Sequence, residues 1–181
     1  MTRVRTDLKY NDMFGKKSIG KKLKLQAESL GACKEGLDNV ENLEVQDLIN
    51  RGLHFINFVI KNDFPSNEFI KENFDKALLA HNNIYVDAEF ERRNARQIVL
   101  VQGSSKGNLL YDCWTTSDVY VRHDSEVNID CTRYSKVFVH VYDNAKVKVT
   151  QSDAATVYVY RYSTNCEIST KGDVMVRNCG D

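Results

Sequence analysis

Residues 117–177 read SDVYVRHDSEVNIDCTRYSKVFVHVYDNAKVKVTQSDAATVYVYRYSTNCEISTKGDVMVR. A small residue followed by two apolar residues at alternate positions recurs through this stretch. The units are Ser117-x-Val119-x-Val121, Ser125-x-Val127-x-Ile129, Ser135-x-Val137-x-Val139, Ala145-x-Val147-x-Val149, Ala155-x-Val157-x-Val159, Thr164-x-Cys166-x-Ile168 and Gly172-x-Val174-x-Val176. The first apolar position falls at 119, 127, 137, 147, 157, 166 and 174. Apolar residues at every second place put one face of a strand in a core. Short strands at so regular a step are the mark of a repeat architecture.

A second period lies on the first. The residue between the two apolar positions runs Tyr120, Asn128, Phe138, Lys148, Tyr158, Glu167, Met175. Large apolar alternates with polar, so the true unit is two strands. This pattern predicts a parallel β-solenoid with about two strands per turn, each strand stacked on its equivalent one turn away at ~4.8 Å. An antiparallel meander is the rival, but no Asn-Gly or Asp-Gly turn joins these strands.

Two unlike outer faces follow. One carries the column Tyr120, Phe138, Tyr158, Met175, with Arg122, His140, Tyr160, Arg177 beside it. This face is the expected binding surface, because stacked large side chains make a patch of about several hundred Å² that something must cover: the helices of residues 42–81, a second copy of the protein, or a ligand. The other carries Asn128, Lys148 and Glu167, flanked by Asp112, Asp130, Thr150 and Ser169, and reads as solvated sheet.

Working back from the repeat, residues 97–181 form the solenoid domain, with Ile98–Val101 as its first strand. Residues 38–96 are helical. Val45, Leu48, Ile49, Leu53, Ile56 and Ile60 share one helix face between about Asn42 and Lys61, with Asp38 or Asn42 as the cap. Pro65 ends that helix, and Ser66 caps a second one that buries Phe69, Ile70, Phe74, Ala77 and Leu78 and runs to about His81. Ile84–Val86 is a short strand or link, and Asp87–Arg96 is a charged connector. Residues 1–37 form a basic arm containing one helix. The fold class is therefore α+β, a helical N-terminal segment followed by a short solenoid.

The chain has 181 residues, 42% of them hydrophobic, and 25 basic against 25 acidic side chains. This composition excludes wholesale disorder and a uniformly basic nucleic-acid surface. Charge is uneven: residues 1–35 carry +5 and residues 36–97 carry −4. The lysines Lys16, Lys17, Lys21, Lys22 and Lys24 are the candidate nucleic-acid contacts; pairing of the arm with the acidic segment is the plainer alternative. No apolar stretch is long enough to cross a bilayer. The five cysteines are widely spaced and lack a C-x-x-C, which points to a reducing compartment such as the cytoplasm.

Catalytic signals are weak. Asp112 and Asp130 are expected in one outward column, where paired carboxylates could cleave a glycosidic bond. Two solvated surface acids are the simpler account. Cys113 and Cys131 are expected as stacked inward residues one turn apart. The four histidines have no metal-ligand spacing, and Gly103–Gly107 lacks the spacing of a phosphate loop. The turn acids Asp124, Asp143 and Asp153 lack the glycines of a calcium-binding roll. No metal or cofactor is expected.

The stretches RGLHFINFVIKNDFPSNEFIKENFDKALLAHNNIYVD and KVFVHVYDNAKVKVTQSDAATVYVYRYS resemble small uncharacterised proteins of gut Bacteroidales and of their phages or integrated elements. The resemblance implies a phage or mobile-element accessory protein and carries no functional residues with it. The expected function is that of a non-enzymatic structural or interaction protein, binding a protein partner or self-assembling through the solenoid. A carbohydrate-active enzyme and a nucleic-acid binder are the alternatives.

Overall fold

The computed structural model describes residues 19–180. The chain divides into two compact units, the second starting at Lys76.

The first unit is helical. Residues 19–29 form α1, followed by α2 (Lys34–Leu37), a 3-10 turn (Val40–Asn42), α3 (Val45–His54), α4 (Ile56–Asn62) and α5 (Asn67–Asn73). Leu23, Val40, Leu48 and Phe69 make a small core, with Ile19, Leu43, Phe64 and Phe74 packed around it. The single helix expected over 42–61 is two, broken at Phe55, whose φ of −101° and ψ of 37° leave the helical region. Its cap is Glu44, and no side-chain cap bond forms, so neither Asp38 nor Asn42 serves. Ser66 does cap α5: its hydroxyl accepts from the Phe69 N–H at 3.3 Å. The helix expected to reach His81 stops at Phe74, which is extended, and restarts as α6 (Lys76–His81).

The second unit holds α6 and eleven strands: β1 (Ile84–Val86), β2 (Glu89–Arg93), β3 (Gln97–Gln102), β4 (Lys106–Tyr111), β5 (Thr116–Val121), β6 (Glu126–Cys131), β7 (Lys136–Val141), β8 (Lys146–Gln151), β9 (Thr156–Arg161), β10 (Glu167–Lys171) and β11 (Val174–Asn178). Odd strands form one sheet in the order β1-β3-β5-β7-β9-β11, and even strands form the other, β10-β8-β6-β4-β2. Every pairing is parallel. This is a β-solenoid with two strands per turn. It begins at Ile84, before the expected start at Gln97, because β1 pairs with β3 and the charged stretch 87–96, expected as a connector, contains β2, which pairs with β4.

Val99, Val119, Val139 and Val159 are fully buried in one inner column, and Val137 and Val157 fill the next. Each such valine contributes about 1.5–3 kcal/mol of apolar transfer. At the corners small residues admit the turning backbone. Ser105, Ser125, Ser135 and Ala145 are buried to within 1% of completely, and the Ser105 hydroxyl donates to the Gln102 carbonyl at 2.7 Å.

The turns repeat too. Gly103, His123 and Asp143 occupy one corner position with φ of 73°, 57° and 55°. Each side chain here serves the previous rung: the Gly103 N–H donates to His123 Nδ1 at 3.0 Å, and the His123 N–H to Asp143 Oδ2 at 3.0 Å. At the other corner the Arg133 N–H donates to Asp153 Oδ2 at 3.3 Å. Asp143 and Asp153 are thus backbone acceptors, which accounts for their recurrence without a metal.

The two ends differ. The first is closed by Tyr85 stacked on Phe90, centroids 3.9 Å apart, with Ala80 of α6 packed on the same core. At the last rung Val176, in the same inner column as fully buried Val159, is 44% exposed.

Candidate functional site

Parallel, in-register stacking brings every outward side chain against its equivalent one rung away. The residues read as a binding face all lie on the outer side of the odd-strand sheet, but their columns are shifted. Tyr120 pairs with His140, and Asp118 pairs with Phe138. The true columns are Asp118, Phe138, Tyr158, Met175, then Tyr120, His140, Tyr160, Arg177, and at the corner Arg122, Tyr142, Tyr162. The displacement comes from β5, where Ser117 fills the slot that valine holds in β7 and β9. Aligning β5 on its valines therefore moves it by two residues, from one column to the next.

The result is a ladder of flat rings. Phe138 stacks on Tyr158 at 5.3 Å, Tyr120 on His140 at 4.5 Å, His140 on Tyr160 at 5.1 Å and Tyr142 on Tyr162 at 4.4 Å, with planes within 16° of parallel. Arg177 lies over Tyr158 at 5.6 Å. Burial pushes the Tyr120 and Tyr142 hydroxyls above their usual range. It also holds His140 below the ordinary histidine value, against the opposing pull of the Asp118 carboxylate 3.5 Å away. Because the rings stack on one another, their faces are spent within the ladder; it offers edges and hydroxyls. Exposure increases along the sheet, from Leu100 at 4% and Tyr120 at 9% to Met175 at 37%.

The even-strand sheet presents a groove of about 890 Å³. One column along it alternates in sign: Glu89, Lys106, Glu126, Lys146, Glu167. Lys106 meets Glu126 at 3.2 Å and Lys146 meets Glu167 at 3.1 Å. Glu167 therefore stands in this column, not with Asn128 and Lys148 as expected; their partner is Ser169. Asn128 donates to Asn108 at 3.0 Å in the adjacent column. Lys106 with Glu126, Lys146 with Glu167 and Asn128 with Asn108 thus satisfy one another across the rungs.

Asp112 and Asp130 do not share a column. Asp130 pairs with Leu110, and Asp112 lies past the end of β4. The Asp112 carboxylate accepts from Arg93 Nε at 3.1 Å and from Asn94 Nδ2 at 2.7 Å, and the Arg93 guanidinium first of all holds its pKa below the usual range. That is the opposite of the raised pKa a general acid needs. Cys113 lies in a bend, half-buried, while fully buried Cys131 pairs with Tyr111, so the two cysteines are not stacked. Burial pushes the Cys131 thiol up to about 12, which makes it an inert core residue.

Lys16 and Lys17 lie outside the described residues. Lys21 and Lys22 are exposed on α1, and Lys24 pairs with Glu41 at 2.9 Å, so part of the basic cluster is neutralised by the acidic segment. Among the described residues no group of three or more His, Cys, Asp or Glu is placed to hold a metal ion, and no helix is long and apolar enough to cross a membrane.

Trp114 and Tyr134 stand outside the hydrophobic periodicity and so escape a sequence reading. They occupy the same turn position on successive rungs and are 84% and 69% exposed, centroids 6.4 Å apart. Only their twenty-residue spacing, shared with the turn pair Arg133 and Asp153, hints at them. Set against protein-family models, curated proteins and solved structures, the chain matches none.

Proposed function

We propose that the protein is a non-enzymatic interaction module that associates through the last rung of its solenoid. The observation behind this reading is Val176, an inner-column residue 44% exposed on a rung whose outer backbone edges pair with no described strand. An exposed parallel edge accepts a further strand, and the apolar column beneath it rewards the addition. Met175 and Arg177, on the same strand, extend the contact into the ring ladder, a Tyr- and Arg-rich surface of the kind enriched at protein interfaces.

The partner is a second copy of the chain. Because the first rung is closed by Tyr85, Phe90 and Ala80, the pairing is last rung to last rung, a closed dimer and not an open filament. A phage or mobile-element accessory protein is the setting that the resemblance supplies for such a module.

Sedimentation velocity over a concentration series tests this. Dimerisation that Val176→Asp abolishes, with the melting temperature of the dilute protein little changed, is the expected result. A strict monomer up to about 1 mM, the range of weak contacts, refutes self-association. Extension to long polymers refutes the closed geometry.

A further inference from the structure

We propose that Trp114 and Tyr134 form a platform that binds a neutral carbohydrate chain. The two rings project from the corner turns between the sheets, before β5 and before β7. The next rung has Ala154 at the same place, so the turn itself has no need of an aromatic residue. An indole 84% exposed contributes almost nothing to folding.

The rings differ from those of the ladder in what they offer. Ladder rings lie within 16° of parallel and cover each other's faces. Trp114 and Tyr134 are tilted by 38° at 6.4 Å, and their high exposure leaves ring faces open to a ligand. An aromatic face carries negative quadrupole density and attracts the positively polarised C–H groups of a sugar ring.

The surroundings choose the ligand class. Asp112, two residues before Trp114, is bonded to Arg93 and Asn94 at the end of β2 one rung earlier, and the Arg93 side chain is 68% exposed. Arg133 precedes Tyr134, and its N–H is held by Asp153. Two arginines and two aspartates sum to no net charge, so the site has no electrostatic hold on a phosphate backbone. The flanking Thr132 and Ser152 are polar and reach the surface, whereas a protein hot spot sits within a wider apolar patch. A sugar chain matches both parts: its C–H faces meet the rings, and its hydroxyls meet the guanidinium, amide and carboxylate groups.

Trp114 is the sole tryptophan of the chain, so intrinsic tryptophan fluorescence reports on this site alone. The full chain is titrated with cellotetraose, chitotetraose, xylotetraose and mannotetraose to about 10 mM, where even a millimolar site fills. Saturable change of the emission by at least one probe is expected. Tyr134→Ala should weaken that binding about tenfold, as loss of one aromatic contact does, at an unchanged melting temperature. Calorimetry should find it lost in Trp114→Ala and largely kept in Trp114→Phe. Silence from all four probes overturns the proposal, as does binding that survives both alanine substitutions. An emission change produced only by a single-stranded oligonucleotide, or only by dimerisation, assigns the platform to another partner and equally overturns it.

Discussion

The two outer faces of the solenoid enclose one shared core and obey the same parallel pairing, yet one is built largely of stacked rings and the other of charges that alternate in sign. On the odd-strand sheet rings stack on rings. On the even-strand sheet Glu89, Lys106, Glu126, Lys146 and Glu167 alternate in sign. The difference follows from parallel in-register stacking, which places each side chain ~4.8 Å from its counterpart. Flat rings gain from a like neighbour at that distance, as do amides such as Asn108 and Asn128. Like charges repel, so a charged column has to alternate.

The aromatic side should be the more sensitive to substitution. Phe138→Ala removes a half-buried ring from between Asp118 and Tyr158 and should cost about 2 kcal/mol in denaturant unfolding. Asn128→Ala, exposed on the opposite face, should stay within about 0.5 kcal/mol. Equal losses would mean that the faces do not differ in how they hold the fold.

Acid acts on the same ladder. Burial lowers the folded-state pKa of His140 below its ordinary 6.5. The unfolded chain therefore takes up its proton first as pH falls, so stability should be full above about 6.5 and decline below it. His140→Phe keeps the ring stack and should remove that part of the decline. A melting temperature whose pH profile below 6.5 is unchanged by the substitution would mean that His140 does not titrate as its burial requires.

The smallest effect belongs to the charged column. Glu126→Lys removes the acid that separates Lys106 from Lys146 and puts a third positive charge in its place. A slight fall in melting temperature is expected at low salt, disappearing at about 1 M salt, where screening acts within a few ångströms. A salt-independent fall would point to lost packing and not to repulsion.

Much of this was legible in the chain. The valine alternation and the two-strand unit predict the solenoid, because burial of every second residue needs no knowledge of distant contacts. Register was harder. Aligning β5 on its valines puts Tyr120 beside Phe138, and only the backbone pairing shows Ser117 in the valine slot. Asp112 was separated from Asp130 in the same way, by a register that strand periodicity does not fix. β2 stayed hidden because Glu89, Glu91 and Arg93 point outward at the first rung, leaving Phe90 as the one large apolar residue of a charged stretch. The helix breaks at Phe55 and Phe74 carry no glycine or proline to announce them.

The repeat is written in the residues alone: small, apolar, apolar, with unlike residues facing out on alternate strands. That information is local, since strand periodicity and corner size depend on a few neighbouring residues. Which side chains meet, which end of the coil is closed and which aromatic rings remain open were decided only by the tertiary structure. Those depend on register between residues some twenty positions apart, and a two-residue slip preserves the hydrophobic pattern while changing every outer neighbour.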